Sequence, residues 1–498
     1  MTKTIVCISL LGAAGAVAAE LTVEQALDRA LRRNLGLQVV RDEPELARQT
    51  VAAARADFAP TLQAGGKLSE QRAARADEER QDGAAAPVAT RGGMDIGVTK
   101  KTVWGTEVGL TGDLARDETD AATATLDPAH QAGVAVTLRQ PLLRGAGRDV
   151  NELAIRQGRI AVRRADLAVQ ASVMDLLRDT ERAYWTAVAA TEEVAVRRAS
   201  LAAAEQTAAE ARAKQDAGLA TAIDALQAET TAAARRDALV TAEAAAKDRR
   251  DELERITGRL ALEETPLAAL TTNWPAPPAA VPPLPALLDR ARRRQPEYLR
   301  QQETLNGRRL ETGAARADRQ PALDLSGQVG YAGRGGDRGD ALSGAADGDG
   351  YNWQVEMRYQ MPWGLGRERA RYRRALLEET RDRLRLEDLE QQLTSDIRAA
   401  GRALETGLER LRAAGLAREL AEKQVELETA RFNAGLATVR NVLDAQTDLD
   451  DARLREVRAR LDVVTAQAQL ARLEGGTLER HGLSWNEVDA RSGAGEAP

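Results

Sequence analysis

Cysteine and histidine are almost absent from this 498-residue chain. The only cysteine is Cys7, and the two histidines, His130 and His481, are far apart in the sequence. A single cysteine cannot form an intramolecular disulfide or contribute a pair of thiolates to a metal site. No nucleophile, general base and orienting group are grouped in the sequence either. We therefore predict that the protein is not an enzyme, and that it has no catalytic residues, no metal site and no cofactor.

Long apolar runs are also missing, except at the N-terminus. Residues 1–19 combine Lys3 with an apolar run from Ile5 to Val17 and small residues at Ala16–Ala19, which is typical of a secretory signal peptide. The run is too short for a membrane-spanning helix. We predict that this segment is cleaved and that the mature chain has no cysteine. If the mature chain crosses a membrane, it must do so as strands.

A strong excess of one charge is lacking as well. The formal net charge is −6, spread over a chain in which 29% of the residues are charged. No positive field of the kind that attracts a phosphate backbone is indicated. Nucleic acid is therefore not expected as a partner.

Aromatic residues make up only 3% of the chain, whereas alanine, arginine, leucine and glutamate are abundant. This composition, combined with apolar residues at seven-residue steps, is typical of coiled coils. Leu153, Ile160, Leu167 and Met174 show these steps. We predict long helices over residues 149–258 and 367–474.

Two regions alternate apolar and polar residues instead. In the clearest, Trp353, Val355, Met357 and Tyr359 share one face of a predicted strand. Prolines bound the strand regions, which we place at about 61–140 and about 322–361. These prolines are Pro60, Pro141, Pro321 and Pro362. The alternation fits an outer-membrane barrel, and by itself fits a soluble sheet with one buried face equally well. The signal peptide and the coiled-coil pattern favour the membrane.

The two halves of the chain repeat each other. Ala217–Thr221 recurs as Ala434–Thr438, and Leu27–Ala30 recurs as Leu288–Ala291. The two matches are offset by about 217 and about 261 residues, so the first half contains about 44 additional residues. We assign this surplus to a hairpin over Gly93–Leu114. We expect it to project as a loop, because a wider barrel would still have to match the helices beneath it.

This repeat defines the predicted domains. Residues 1–19 are the signal peptide, 20–265 the first repeat, 266–285 a proline-rich linker, 286–476 the second repeat and 477–498 a C-terminal tail. Each repeat contains one strand region and one pair of long helices. With four to six strands, a single chain cannot close a membrane barrel, because the smallest have about eight. Open strand edges are not tolerated in lipid, so several chains must share the barrel.

At this point the residues resemble a known family. The segments Arg431–Thr438, Val442–Gln446 and Gln140–Leu143, within duplicated halves, resemble TolC-like outer-membrane efflux proteins. The resemblance implies an α+β membrane protein of the cell outer membrane. It implies a homotrimer in which a shared, twelve-stranded transmembrane β-barrel is continued by a long coiled-coil α-helical barrel in the periplasm. Its partners would be outer-membrane lipid, a periplasmic adaptor protein and an inner-membrane pump.

The resemblance also assigns site residues by position. The tips that dock the adaptor would comprise Lys214, Gly218, Leu219, Arg431, Gly435 and Leu436. The pore aperture would comprise Asp224, Asn441 and Asp444. Phe432 and Ala437 stand where some members have a tyrosine and an arginine that latch the tip, and neither side chain can form that hydrogen bond.

The function implied is an exit duct of a tripartite efflux pump that passively exports substrates. Three alternatives remain open at this stage: an outer-membrane conduit of type I protein secretion, a periplasmic coiled-coil adaptor, and a structural coiled-coil spacer. The sequence does not indicate the exported substrate or the class of pump.

Overall fold

The computed structural model describes residues 20–72, 88–121, 124–217, 221–258 and 269–493. The predicted signal peptide lies outside these residues. The chain forms two compact units, each built from segments distant in sequence. The helical unit comprises Met1–Asp42, Leu167–Leu299 and Glu387–Pro498, and the sheet unit comprises Glu43–Asp166 and Arg300–Leu386.

The sheet unit contains a six-stranded antiparallel sheet in which each strand pairs with its neighbours in chain order. The strands are β1 (Thr61–Arg72), β2 (Val88–Lys101), β3 (Glu107–Thr119), β4 (Ala129–Pro141), β5 (Ala322–Gly335) and β6 (Gly350–Gln360). Strand β4 pairs directly with β5, so the strands of the two repeats form one continuous sheet.

One face of this sheet is apolar and the other is polar. A single row of paired residues crosses all six strands on the apolar face, and every side chain in it is exposed. This row is Leu62, Val98, Leu110, Val136, Val329 and Trp353. The next row toward the proline-bounded end, on the opposite face, is Thr61, Thr99, Gly109, Thr137, Gln328 and Gln354. The sheet therefore presents a continuous apolar surface that the described part of the chain does not cover.

The Gly93–Leu114 hairpin belongs to this sheet. Its two strands, β2 and β3, pair with each other and also with β1 and β4 on either side. The expectation that the hairpin projects as a loop is therefore wrong. The physical reason is that the apolar residues of the hairpin align in register with the apolar row of β1 and β4. Pairing therefore satisfies the backbone hydrogen bonds of the hairpin and also extends the apolar face.

The strands are also longer than the alternation predicted. The polar stretches Glu70–Gly93 and Ala115–His130 show no clear alternation, yet β1 continues to Arg72, β2 begins at Val88 and β3 continues to Thr119. Polar side chains occupy both faces of these ends. Apolar alternation therefore stops before the backbone pairing does.

The connection between β5 and β6 contains a helix where the sequence predicted a loop. Helix residues Arg338–Asp347 begin at Asp337, whose side chain accepts a hydrogen bond from the Asp340 amide, and end at Gly348 with φ +78°. The buried Ala341 lies against Gly333 of β5, where even a β-carbon would be 2.2 Å from the Ala341 carbonyl oxygen. Small residues on both elements therefore permit this close contact. The helix itself could not be predicted from apolar periodicity, because its sequence has none.

The other helices are labelled here in chain order, with Arg338–Asp347 as α9. They are α1 (Val23–Arg33), α2 (Leu35–Arg41), α3 (Glu43–Ala56), α4 (Arg148–Asn151), α5 (Leu153–Asp216), α6 (Ala222–Ile256), α7 (Leu284–Arg294), α8 (Pro296–Ala317), α10 (Gly366–Asn433), α11 (Val439–Leu473), α12 (Thr477–Arg480) and α13 (Trp485–Gly493). The N-terminal region predicted as two helices is thus three. None of the described helices is long and apolar enough to cross a membrane.

Helix packing in the helical unit follows the periodicity of the sequence. On α10 the residues Leu393, Ile397 and Leu404 are buried in one cluster with Val463 and Leu470 of α11. The next residue of α11, Val464, belongs to a second cluster that contains Leu253 of α6. The apolar positions of α11 therefore contact helices of both repeats.

The N-terminus and the linker are anchored together on α5. Leu21 and Leu270 form a parallel β-bridge, and the Tyr184 hydroxyl donates to the Leu21 carbonyl at 2.8 Å. Beside it, the rings of Trp185 and Trp274 stack with centroids 4.9 Å apart. The proline-rich linker is therefore extended, as expected, and its aromatic residue is fixed against a helix.

The C-terminal segment is not merely a polar tail. Helices α12 and α13 pack on α1 and α5, and Val488 is fully buried among Leu31 and Val173. The Arg480 guanidinium donates to the buried Glu181 carboxylate at 2.8 Å. Burial alone would raise the pKa of Glu181, but the adjacent His481 ring and the hydrogen bonds from Arg480 lower it. His481, which is isolated in sequence, therefore belongs to an ion-pair cluster.

Candidate functional site at the hairpin turns

The turn after α10 has the geometry expected of its glycine. Gly435 has φ +75°, its amide donates to the Phe432 carbonyl at 3.0 Å, and the Leu436 amide donates to the Arg431 carbonyl at 2.8 Å. These two bonds define a Schellman motif, which closes the helix and reverses the chain. Gly435 thus has the left-handed backbone conformation that glycine adopts without strain. Its counterpart Gly218 lies outside the described residues, as does Leu219.

The helices that follow the two turns both begin at a threonine, but only the first has a side-chain cap on its backbone. Thr221 and Asp224 form a capping box, in which the Asp224 amide donates to the threonine hydroxyl at 3.2 Å and the Thr221 amide donates to the Asp224 carboxylate at 3.1 Å. In the second repeat the Thr438 hydroxyl donates to the Asn441 side-chain oxygen. The predicted aperture residue Asp224 thus caps the first turn of α6, whereas Asn441 bonds to the threonine side chain without capping α11.

A small apolar cluster brings the two turns together. It consists of Ala211, Ala228, Phe432, Val439, Val442 and Leu443, contributed by α5, α6, α10 and α11. At its edge the Lys214 ammonium is 3.4 Å from the centroid of the Phe432 ring and donates to the Phe432 carbonyl at 3.3 Å. Phe432 lacks the hydroxyl of the family's latch, yet it connects the two hairpins through this cation–π contact.

The predicted docking residues in the described chain are grouped at this end of the hairpins. Leu436 is 73% exposed, and nothing lies within 4 Å of a β-carbon placed on Gly435. Arg431 is half exposed and pairs with the buried Glu428 at 3.0 Å. Lys214 packs inward on Phe432 instead. The turn therefore presents an apolar side chain that the packing of the described residues does not use.

Asp444 is the aperture residue with the freest carboxylate. Its side chain is 71% exposed, and its nearest cation is the Arg440 guanidinium at 3.7 Å, one turn earlier on α11. An exposed pair of this kind contributes little to stability. The structure thus places Asp444 on the surface of the tip and leaves its charge available to solvent.

A buried polar layer near the tip was not predicted. The Asp450 carboxylate accepts a hydrogen bond from the Ser200 hydroxyl and is 3.6 Å from the Arg235 guanidinium. Arg235 also donates to the Ser200 carbonyl at 3.0 Å and to the Gln446 side chain at 3.3 Å. Both side chains of the ion pair are only 11% exposed. The layer links α5, α6 and α11 at a single level of the helical unit.

Desolvation shifts the pKa values of this pair. Burial raises the pKa of Asp450, although the Ser200 hydrogen bond and Arg235 oppose the shift. Burial also lowers the pKa of Arg235, with Asp450 opposing. The sequence contained a signal for this buried polar layer, because Asp450 lies at the middle position of a seven-residue series that runs from Leu443 to Val457. An acid at a seam position marks a buried polar layer.

A second buried arginine joins the two repeats at the other end of α11. Arg472 donates to both oxygens of Asp175, at 2.9 and 3.1 Å, and to Glu297 at 3.2 Å. Burial tends to lower the pKa of Arg472, but its bonds to Glu297 and Asp175 raise it overall. This cluster fixes α5, α8 and α11 and contains no group suited to catalysis. Among the described residues, no three or more His, Cys, Asp or Glu side chains are placed to hold a metal ion.

Comparison with known proteins identifies the family. A family model described as outer membrane efflux protein matches residues 101–259 and 287–476, which together are more than half of the chain. The chain belongs to the outer membrane efflux protein family. Its location in the outer membrane is thereby confirmed, and the family is one of channels rather than enzymes. The two matched segments lie within the two predicted repeats. No curated protein sequence matches the chain.

Solved structures share the fold at low sequence identity. The CmeC outer membrane channel of Campylobacter jejuni is 15% identical, with a TM-score of 0.67 over 94% of this chain and 89% of that chain. The open-state MtrE outer membrane channel of Neisseria gonorrhoeae is 19% identical, with a TM-score of 0.64 over 92% and 89%. The outer-membrane channel OprN is 17% identical, with a TM-score of 0.65 over 91% and 90%. The predicted combination of a β-sheet and a long periplasmic helical barrel is the fold of these channels.

Proposed function

We propose that this efflux protein is the exit duct of a tripartite pump. Three copies share one transmembrane barrel, and the hairpin turns dock a periplasmic adaptor that connects the duct to an inner-membrane pump. Transport through the duct is passive. The observation that carries the docking role is the exposed Leu436 on a turn whose glycine has open space around it.

The sheet supports assembly from several copies. Within the described residues β1 and β6 each pair on one side only, so the apolar surface ends in two open strand edges. In lipid such edges must be paired. Three copies of a six-stranded sheet would close a barrel of about eighteen strands, rather than the twelve first expected.

The helices beside these two edges have matching apolar surface. Leu46 on α3, next to β1, is exposed, as are Leu377 and Leu384 on α10, next to β6. When copies join edge to edge, α10 of one copy meets α3 of the next. The contact would bury these leucines at the same time as it pairs the strands.

Photo-cross-linking in the native host tests the docking role. A photoreactive amino acid at Leu436 should capture a periplasmic adaptor, whereas one at the exposed Leu342 of α9 should not. The sequence of the captured adaptor distinguishes a small-molecule efflux pump from a type I secretion system. Cross-links from Leu436 to copies of this chain alone would contradict the proposal.

Substitutions at the turns give a second test. Gly435→Pro and bulky changes at Leu219 and Leu436 should impair export, because Pro cannot adopt a positive φ and the leucines are proposed to contact the adaptor. Membrane insertion should be unchanged. Unaltered adaptor cross-linking in all of these variants would exclude the turns as the docking site.

A further inference from the structure

An exposed tryptophan marks the point where the apolar face of the sheet ends. After β6 the chain passes through Pro362 and a short 3-10 turn, Trp363–Leu365, before α10 begins. The Trp363 side chain is 104% exposed, and Tyr359 and Met361 just before it are exposed as well. Aromatic side chains at the rim of an apolar face are typical of the boundary between lipid tails and headgroups.

Arginines follow immediately on the first turns of α10. Four of them, Arg367, Arg369, Arg371 and Arg373, have no ion pair within the part of the chain that the structure describes, and we call them the arginine segment. Only the next arginine, Arg374, is paired, with Glu378 at 2.9 Å. Along the helix these arginines form two i,i+4 pairs, Arg367 with Arg371 and Arg369 with Arg373. The like charges within each pair repel each other, so an external anion would stabilise them.

The chain reinforces the positive charge of this segment. Its single acid, Glu368, is buried rather than exposed between the arginines. Arg319, from the end of α8, stacks on the Tyr372 ring with its guanidinium carbon 4.9 Å from the ring centroid. This stacking adds a further cation beside the same helical turns.

The spacing places the arginine segment at headgroup depth. A helix rises about 1.5 Å per residue, so the segment spans about 9 Å along α10. The polar layer of each bilayer leaflet is roughly 5–8 Å thick. With Trp363 at the hydrocarbon boundary, the guanidinium groups reach the phosphates of the leaflet that faces the periplasm.

We propose that Trp363 and the arginine segment bind anionic phospholipid headgroups of the inner leaflet of the outer membrane. A lipid is favoured over an acidic protein partner because the cations directly continue the exposed apolar face of the sheet. The arginines contact the phosphates, and the Trp363 indole lies against the glycerol region of the same lipids. The proposal rests on the proposed function only in taking the apolar face as the membrane-embedded surface.

Lipid titration monitored by native mass spectrometry tests this surface. The assembled protein, delipidated in a neutral detergent, is titrated with palmitoyl-oleoyl-phosphatidylglycerol, with the corresponding phosphatidylcholine, and with phosphatidylglycerol in the presence of excess inorganic phosphate. We expect retention of phosphatidylglycerol over phosphatidylcholine. Inorganic phosphate should compete weakly, because it lacks the tails that contact Trp363.

A matched pair of variants assigns the site. R367Q/R369Q/R371Q/R373Q should weaken phosphatidylglycerol binding by at least about tenfold, since each cation near an anionic surface contributes favourably. The control R249Q/R398Q/R402Q/R410Q removes four other exposed arginines that lack ion pairs in the described chain, and it should bind like the wild type. W363A should weaken the binding of both lipids.

The outcomes separate this proposal from the proposed function. The lipid site is overturned if the wild type and the arginine-segment variant bind phosphatidylglycerol equally. It is also overturned if the control variant loses as much binding as the arginine-segment variant. In both cases insertion into liposomes would stay intact. Failure of the wild type to insert into liposomes overturns the membrane assignment itself. Complete displacement of phosphatidylglycerol by inorganic phosphate would show that the segment binds phosphate rather than lipid, and would also overturn the proposal.

Discussion

Gly475 lies directly against the end of α7, where a β-carbon on the glycine would be 2.8 Å from the carbonyl carbon of Arg294. In the first repeat Gly258 has the same relationship to Arg33, with 2.5 Å to its carbonyl oxygen. Both glycines follow a long helix and have positive φ, +74° and +73°. The two glycines are separated by about 217 residues, the same offset as the repeated segments Ala217–Thr221 and Ala434–Thr438. The two arginines are separated by about 261 residues, the same offset as Leu27–Ala30 and Leu288–Ala291. The duplication read from sequence is therefore also a duplicated contact.

The next residue in each repeat shows the same correspondence. The Asn34 side chain accepts a hydrogen bond from the Leu37 amide at 3.0 Å and so caps α2. The Gln295 side chain accepts a hydrogen bond from the Tyr298 amide at 2.6 Å at the start of α8. The surplus of about 44 residues lies between the two matched regions, as the offsets require. It supplies the β2–β3 hairpin.

The first prediction concerns the glycine contact. Gly475→Ala should destabilise the protein more than Gly435→Ala, although both glycines have nearly the same φ. The left-handed conformation alone costs about 1–2 kcal/mol, which is the loss expected at Gly435, where a β-carbon has open space. At Gly475 the β-carbon also meets backbone atoms that cannot move aside. Thermal midpoints in detergent at a fixed scan rate measure the difference, and equal midpoints would contradict it.

The second prediction concerns the buried Asp450. Because burial raises the pKa of Asp450 in the folded protein, its contribution to stability is greatest at low pH and is lost as pH rises through that pKa. Asp450→Asn removes this titration. The variant should therefore gain stability relative to the wild type as pH rises from about 4, the pKa of an unfolded aspartate.

Thermal midpoints of the two proteins between pH 4 and neutrality test the Asp450 prediction. The exposed Asp448→Asn, on the same helix, is the control. A difference between wild type and Asp450→Asn that does not change with pH would show that the carboxylate does not titrate in this range. Removing Arg235 instead should cost about 3–5 kcal/mol, because it leaves a buried charge without its partner.

The third prediction concerns Asp444. Three copies would form an acidic ring at the inner mouth, which should favour cations and admit divalent blockers. Asp444→Asn should weaken both effects, most at low salt, where screening is least. Single-channel conductance in planar bilayers measures this, with the exposed Asp237→Asn of α6 as the control. Unchanged selectivity and divalent block in Asp444→Asn would exclude Asp444 from the pore.

The fourth prediction concerns the added hairpin. Cysteines introduced at Ile96 and Leu110 should be protected by the membrane from a charged maleimide, because both positions lie on the apolar face. Cysteines at Asp95 and Thr111, on the polar face, should react. The sole natural cysteine, Cys7, lies in the predicted signal peptide and would not interfere. Equal labelling at all four positions would show that β2 and β3 do not line the barrel wall.

The sequence predicted those parts of the fold that a regular pattern encodes. The apolar seam through Leu393 and Ile397 follows from helical periodicity within one segment. The prolines at the ends of the strand regions and the glycine at position 435 follow from the backbone conformations that these residue types permit. The contact between Ala341 and Gly333 does not, because small residues show no amphipathic pattern. Helix α13 was missed because its burial depends on a single fully buried residue, Val488.

The candidate site was harder to derive than the fold. The turn geometry follows from glycine, but the placement of Lys214 over Phe432 depends on how two hairpins pack, which no single stretch encodes. Asp224 shows the opposite difficulty. Its spacing from Thr221 already fits a capping box, yet the resemblance suggested a pore role, and the structure shows the carboxylate holding a helix start.

The number of chains in the assembled duct is the most direct test of the proposal that several copies share one barrel. The described part of each chain contributes six strands with two open edges, so we predict three copies around one barrel of about eighteen strands. Multi-angle light scattering of the detergent-solubilised protein, corrected for bound detergent, should give the mass of a trimer. A monodisperse monomer would contradict a barrel shared between chains.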